Sequence, residues 1–107
     1  MEKLKFRTSA DKSGQIETIE IGGVLVLENA LELKNELVVI SDRLCDEVKI
    51  SICGLEEMDL PAAQLLVAFI RNMNQKKIKY QIDWDLDEDQ KAFFRNVGMG
   101  DELYMNN

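Results

Sequence analysis

Apolar and polar residues alternate from Leu4 to Thr8, which predicts a first β-strand. Asp11-Lys12-Ser13-Gly14 is a cluster of turn formers. Gln15 to Ile21 reads as a second strand and Val24 to Leu27 as a third. Gly22-Gly23 lies between them as a two-residue loop able to supply the positive φ of a primed hairpin turn. The period then changes. Ala30, Leu33, Leu37, Ile40 and Leu44 recur at helical spacing, so a helix is predicted from Asn29 to about Leu44. Asn29 is its expected N-cap, with Glu32 completing a capping box.

Val48 to Cys53 is a short apolar strand, and Gly54 to Met58 reads as a loop. Pro61 suits the first turn of a second helix, where its missing N–H is not needed. That helix runs to about Gln75 and is apolar nearly all round in its first half, so more than one face is covered. Lys76 and Lys77 sit near its negative end. Ile78 to Trp84 reads as the next strand. Asp85 with Glu88, or Asp87 with Gln90, caps a third helix carrying Phe93, Phe94 and Val97, with Gly98 as its C′ residue.

The predicted order is β-β-β-α-β-α-β-α. It implies an α/β fold with α+β character: one mixed sheet of about five strands, with helices packed on one face. No repeat, linker or low-complexity segment divides the chain, so residues 1–107 are read as a single domain.

Charge narrows the possible partners. Twenty acidic residues against 13 basic ones leave a net charge of −7, which repels nucleic acid and anionic membranes. Met1 to Lys5 lacks the apolar run of a signal peptide, and no apolar run reaches the ~18 residues of a membrane span. A cytoplasmic location with reduced thiols is therefore expected. Cys45 and Cys53 match neither a redox pair nor a zinc knuckle, and are expected to be small buried apolar groups.

The chain contains no histidine. The commonest general base, the His-dependent nucleophile systems and the main transition-metal ligand are all missing. Neither a G-x-G-x-x-G nor a Walker-type phosphate loop is present, and no cofactor is expected. Asp83-Trp84-Asp85-Leu86-Asp87 opens like a calcium loop. However, Glu88 stands where the loop needs Gly, and Phe94 where it needs a bidentate Glu. These acids read instead as a strand end and the first turn of a helix. Asp59 has no second catalytic group nearby in sequence and reads as a helix cap.

Three consecutive elements carry a family resemblance. Gly23 to Lys34 resembles the strand and first-helix signature of STAS domains, the sulphate transporter and anti-sigma factor antagonist family. Val48 to Leu66 resembles that family's central strand, loop and second helix. Gly54 to Asp59 falls on the approach to its site, and Gln64-Leu65-Leu66 on the segment after it. The resemblance spans roughly residues 15–100. It implies that Asp59 matches the family Asp and Leu60 the Ser or Thr that a kinase-like anti-sigma factor phosphorylates. Pro61 then matches the next small residue and Ala62 the usual Gly. Leu60 has no oxygen to accept a phosphate, and Pro61 and Ala62 offer none either. The fold and a docking surface are expected to carry over, and the phospho-switch is not.

The expected function is thus a non-catalytic protein-interaction module. The expected docking residues are Asp59, Leu60, Pro61, Ala63, Gln64 and Val67, with Glu28 and Asn29 from the neighbouring Leu27 to Ala30 loop. Ala63 and Val67 are open to a second reading, as core. The resemblance implies a protein partner: an anti-sigma factor or kinase-like protein, or a subunit of a chemotaxis-associated or lipid-transport complex. An anion- or nucleotide-binding domain is the alternative class. It would need cations or a glycine-rich loop where Glu56, Glu57 and Asp59 put negative charge.

Overall fold

The computed structural model describes residues 3–96. They form a four-stranded sheet and three helices in the order β1 (Leu4–Ala10), β2 (Ile16–Leu25), α1 (Leu27–Ser41), β3 (Leu44–Met58), α2 (Leu60–Gln75), β4 (Lys79–Trp84), α3 (Glu88–Phe94). Strand order in the sheet follows chain order. β1 pairs antiparallel with β2, while β2–β3 and β3–β4 are parallel. The mixed α/β sheet therefore forms with four strands rather than about five. Val97 and Gly98, expected to end the third helix, lie outside the described residues.

Alternation sets the two faces of the sheet. Ile19 and Ile21, Val48, Ile50 and Ile52, and Ile82 are buried, while Thr18, Glu20, Lys49, Gln81 and Asp83 between them are exposed. The helices cover the apolar face. Leu33, Leu37 and Ile40 of α1 and Leu66, Ile70 and Met73 of α2 join the strand residues in one core. At about 25 cal/mol per Å² of apolar surface, this burial is the main force holding the layers together. No helix among the described residues is long and apolar enough to cross a membrane.

The hairpin turns at Asp11–Gly14 and not at Gly22-Gly23. The Asp11 side chain accepts from Ser13 N, Ser13 Oγ and Gln15 N at 2.9, 2.7 and 3.0 Å, and Gly14 takes φ +88°. The strand runs straight through the two glycines, so the predicted second and third strands are one, β2. The glycines serve close approach instead. A Cβ on Gly22 would overlap the Cys53 carbonyl oxygen, and one on Gly23 the Lys3 carbonyl oxygen. Gly23 has φ +76°, and the β2–β3 register shifts on both sides of it, the pattern of a bulge.

β3 is also longer than expected. The predicted Gly54–Met58 loop belongs to it and pairs up to Leu25↔Met58. Gly54, at φ +62°, lies in the irregular stretch that gave this segment its loop-like composition. At the other end, Leu44 opens β3 instead of closing the first helix, because Arg43 N already bonds Ile40 O at 2.9 Å and turns the chain.

The third helix takes the second of its two possible caps. Asp87 accepts from Gln90 N at 2.8 Å, and the Gln90 side chain accepts from Asp87 N at 3.0 Å. Phe94 is fully buried with its ring edge on Trp84, centroids 5.1 Å apart.

Candidate docking site at the start of the second helix

The β2–β3 ladder ends on Asp59 N donating to Leu25 O at 3.0 Å. This bond places Asp59 between the first residues of α1 and α2. Its Oδ1 accepts from Ala62 N at 3.3 Å, the N-cap bond of α2. Its Oδ2 accepts from Leu27 N at 2.8 Å, in the first turn of α1. One carboxylate thus sits at the positive ends of two helices.

This arrangement corrects the expected cap of the first helix. α1 starts at Leu27, two residues earlier than expected, and its N-cap Val26 has no side-chain cap bond. Asn29 is inside the first turn, and its Nδ2 donates to Val24 O at 2.8 Å. The capping box expected between Asn29 and Glu32 does not form, and Leu27 to Ala30 is helix rather than loop. The cap comes instead from a residue far along the chain.

The expected docking residues divide by burial. Leu60 is 46% exposed, Pro61, Gln64 and Glu28 are exposed, and Asp59 and Asn29 are half-buried. Ala63 and Val67, at 0% and 6%, belong to the core, which resolves their two readings against a surface role. The helix period explains the split: both fall on the sheet-facing side of α2, with Leu66 and Ile70.

Beside the junction lies an open hollow of roughly 740 Å³, lined by Val24, Val26, Glu28, Asn29, Glu57, Met58 and Asp59. Its ionisable lining residues are all acids. Ala62 N, a donor that an anion would use at this helix end, is already held by Asp59. Ala63 N bonds the Asp59 carbonyl at 3.0 Å.

Asp83, Asp85 and Asp87 do not assemble into a cage. Asp83 is exposed on β4, Asp85 N bonds Ile52 O at 2.9 Å, and Asp87 caps α3. Among the described residues no group of three His, Cys, Asp or Glu side chains could hold a metal ion. The cysteines are half-buried rather than buried, and both are free thiols. Cys45 Sγ donates to Asp11 Oδ2 at 3.4 Å; partial burial and then the Asp11 carboxylate push its thiol pKa up, away from a reactive thiolate.

Sequence reasoning missed one surface feature. Leu27, Leu31 and Val38 of α1 are 63%, 68% and 60% exposed, off the core stripe of Leu33, Leu37 and Ile40. Their own 4-then-7 spacing was a signal for a second apolar face.

Comparison with protein-family models gives no match to the chain, and comparison with curated proteins gives none either.

Proposed function

We propose that this chain is a non-catalytic protein-interaction module of the STAS type. In this reading it resembles anti-sigma factor antagonists and docks a protein partner through the junction around Asp59 and Leu60. It works in the cytoplasm as a bacterial regulator or scaffold, and it is not switched by phosphorylation at this junction. The observation that carries the reading is Leu60. A large apolar residue stands 46% exposed at the first position of a helix whose next turn buries Ala62 and Ala63, beside a carboxylate that fixes two helix starts at once. Such a residue gains by being covered.

The acid-lined hollow and the occupied Ala62 donor support a protein partner over an anion or nucleotide. The sheet and its one-sided helix layer suit the STAS reading, with one strand fewer than the sequence pattern predicts. Several partners fit: a kinase-like anti-sigma factor, or a subunit of a chemotaxis-associated or lipid-transport complex.

The test is Leu60→Glu. An acid in the first helical turn suits the dipole, so the thermal melt is expected to stay normal. Partner recovery from the native cytoplasm, read by mass spectrometry, is expected to vanish, because the interface would bury an unpaired charge. A large drop in melting temperature would make Leu60 core. A normal melt with full recovery would place docking on another face. Incubation of the unaltered protein with a cognate kinase and ATP is expected to add no mass; one stoichiometric phosphate would show the junction to be misaligned.

A further inference from the structure

β4 stops pairing at Trp84, and α3 rather than a strand neighbours the end of β3. Three side chains seat that helix. Phe94 is fully buried with its ring edge against Trp84, and Phe93 packs half-buried on the core. Gln90 Nε2 donates to Leu55 O at 2.9 Å, where a further strand would have placed an amide. The helix contributes little by itself, since its 7 residues fall well short of the length at which a helix persists alone. Trp84 Nε1, on the ring that meets Phe94, is buried with no hydrogen-bond partner among the described residues. Separating the two rings brings water to a group that lacks a partner.

Charge opposes this seat. A hollow of about 290 Å³ lies between α3 and the end of β3. Glu56 and Glu57 line it from the strand, and Asp87 and Asp89 from the start of the helix. All four are exposed, and no cation lines the hollow. None of the four is in an ion pair among the described residues. Lys91 of α3 lies 3.9 Å from Glu88, and neither reaches the hollow. Asp87 and Asp89 suit the positive end of α3, so they favour the helix while disfavouring its place against β3. Like charges facing each other across an open gap repel at low salt and are screened at high salt.

We infer that α3 is a latch on the end of β3, one that swings off ahead of the rest of the fold and is pushed open by the four facing carboxylates. Shut, it keeps Leu55 O occupied. Open, it releases that acceptor and uncovers the Leu55 and Met58 side of the hollow. The hollow under α3 and the one beside Asp59 share Glu57 and Met58, so opening joins them into one surface. The latch goes beyond the docking reading and stands without it, since its opening needs no partner. Its setting follows ionic strength: salt screens the carboxylates and closes it.

Two readouts on the full chain test this together. Native-state hydrogen exchange follows the α3 amides, Lys91 N among them, which bonds Asp87 O at 3.0 Å. They are expected to exchange at least ~10-fold faster than the amides of Ile50 and Ile52 in β3. Raising salt from about 0.01 to about 0.15 M, which shortens the screening length from about 30 to about 8 Å, is expected to slow them roughly 3-fold. Acrylamide quenching of Trp84, the one tryptophan of the chain, is expected to fall in step, because fraying of α3 alone would not uncover that ring. The double variant Glu56→Gln with Glu57→Gln removes the charge facing α3 and leaves the helix untouched. Both residues are exposed, and a thermal melt checks that the variant folds. It is expected to exchange slowly at low salt and to lose the salt response. Exchange of α3 at the rate of β3, or no effect of salt on the unaltered chain, would overturn the latch. So would an undiminished salt response in the double variant, or faster exchange with no change at Trp84.

Discussion

Asp59 and Leu27 are 32 residues apart in sequence and joined by a 2.8 Å hydrogen bond from the Leu27 amide to the Asp59 carboxylate. The same carboxylate holds Ala62 N, so the starts of α1 and α2 depend on one side chain. Replacing it removes two caps together. Asp59→Ala is expected to cost about 1–3 kcal/mol in urea melts, near the sum of two ordinary caps. Hydrogen exchange is expected to speed up at Leu27 and Ala62 in parallel. Loss of protection at Ala62 alone would show that α1 does not rely on Asp59.

Gly22 and Gly54 should respond differently to the same added methyl group. A Cβ on Gly22 would strike the Cys53 backbone, whereas one on Gly54 would meet nothing within 4 Å. Gly54→Ala is then opposed only by its positive φ, about 1 kcal/mol. Gly22→Ala has to push apart a pair of bonded strands and is expected to cost about 3 kcal/mol or more. Chemical denaturation of the two variants checks the order, and a reversed order would place the close contact elsewhere.

A stabilising change is available at the end of α2. Lys77 sits at φ +59°, with Lys77 N bonded to Asn74 O and Ile78 N to Met73 O, the two bonds of a Schellman turn. Glycine adopts this conformation without steric cost. Lys77→Gly is expected to raise stability by about 0.5–1 kcal/mol, measured by a shift in the urea midpoint.

The Asp11 turn gives stability a dependence on acid. The Ser13 hydroxyl, with the Gln15 and Ser13 amides, holds the Asp11 carboxyl below its ordinary value against the opposing effect of burial. A lowered folded-state pKa means the unfolded chain takes up the proton first. The contribution is therefore complete above the ordinary carboxylate pKa near ~4 and is lost as pH falls through the lower folded value. Asp11→Asn is expected to flatten that region of the stability–pH curve. An unchanged slope below pH ~4 would show that other carboxylates carry it.

The sequence made the core stripes legible because they obey local periods. Leu33, Leu37 and Ile40 are read from helical spacing and are buried, and the strands read at Gln15 to Ile21 and Val48 to Cys53 form and carry the buried Ile19, Ile21, Val48, Ile50 and Ile52. The Asp59 cap and the Asp87–Gln90 box were also visible, since each partner lies within three residues. What stayed hidden depends on pairing between distant segments. Gly22-Gly23 looks like a turn unless it is known that β1 and β3 press on it from both sides. Gly54 to Met58 has loop composition, yet β2 pairs with it. Asn29 has a good capping side chain but loses that role to a carboxylate from another element. At the site, Leu60 was legible as the odd residue in its pattern. Ala63 and Val67 could be placed only once the sheet-facing side of α2 was known.

The unequal lengths of β3 and β4 leave their mark at the sheet's margin. β4 stops pairing at Ile52↔Trp84, while β3 continues to Met58. Beyond that point the exposed backbone of β3 could accept a foreign strand. The Gln90 amide fills some of the space, donating to Leu55 O at 2.9 Å as a strand neighbour would. On the far margin, β1 displays Lys5 and Arg7. A second copy adding itself antiparallel to β1 would bring cation against cation. Both devices discourage strand addition at these two places, the overhang of β3 and the edge of β1.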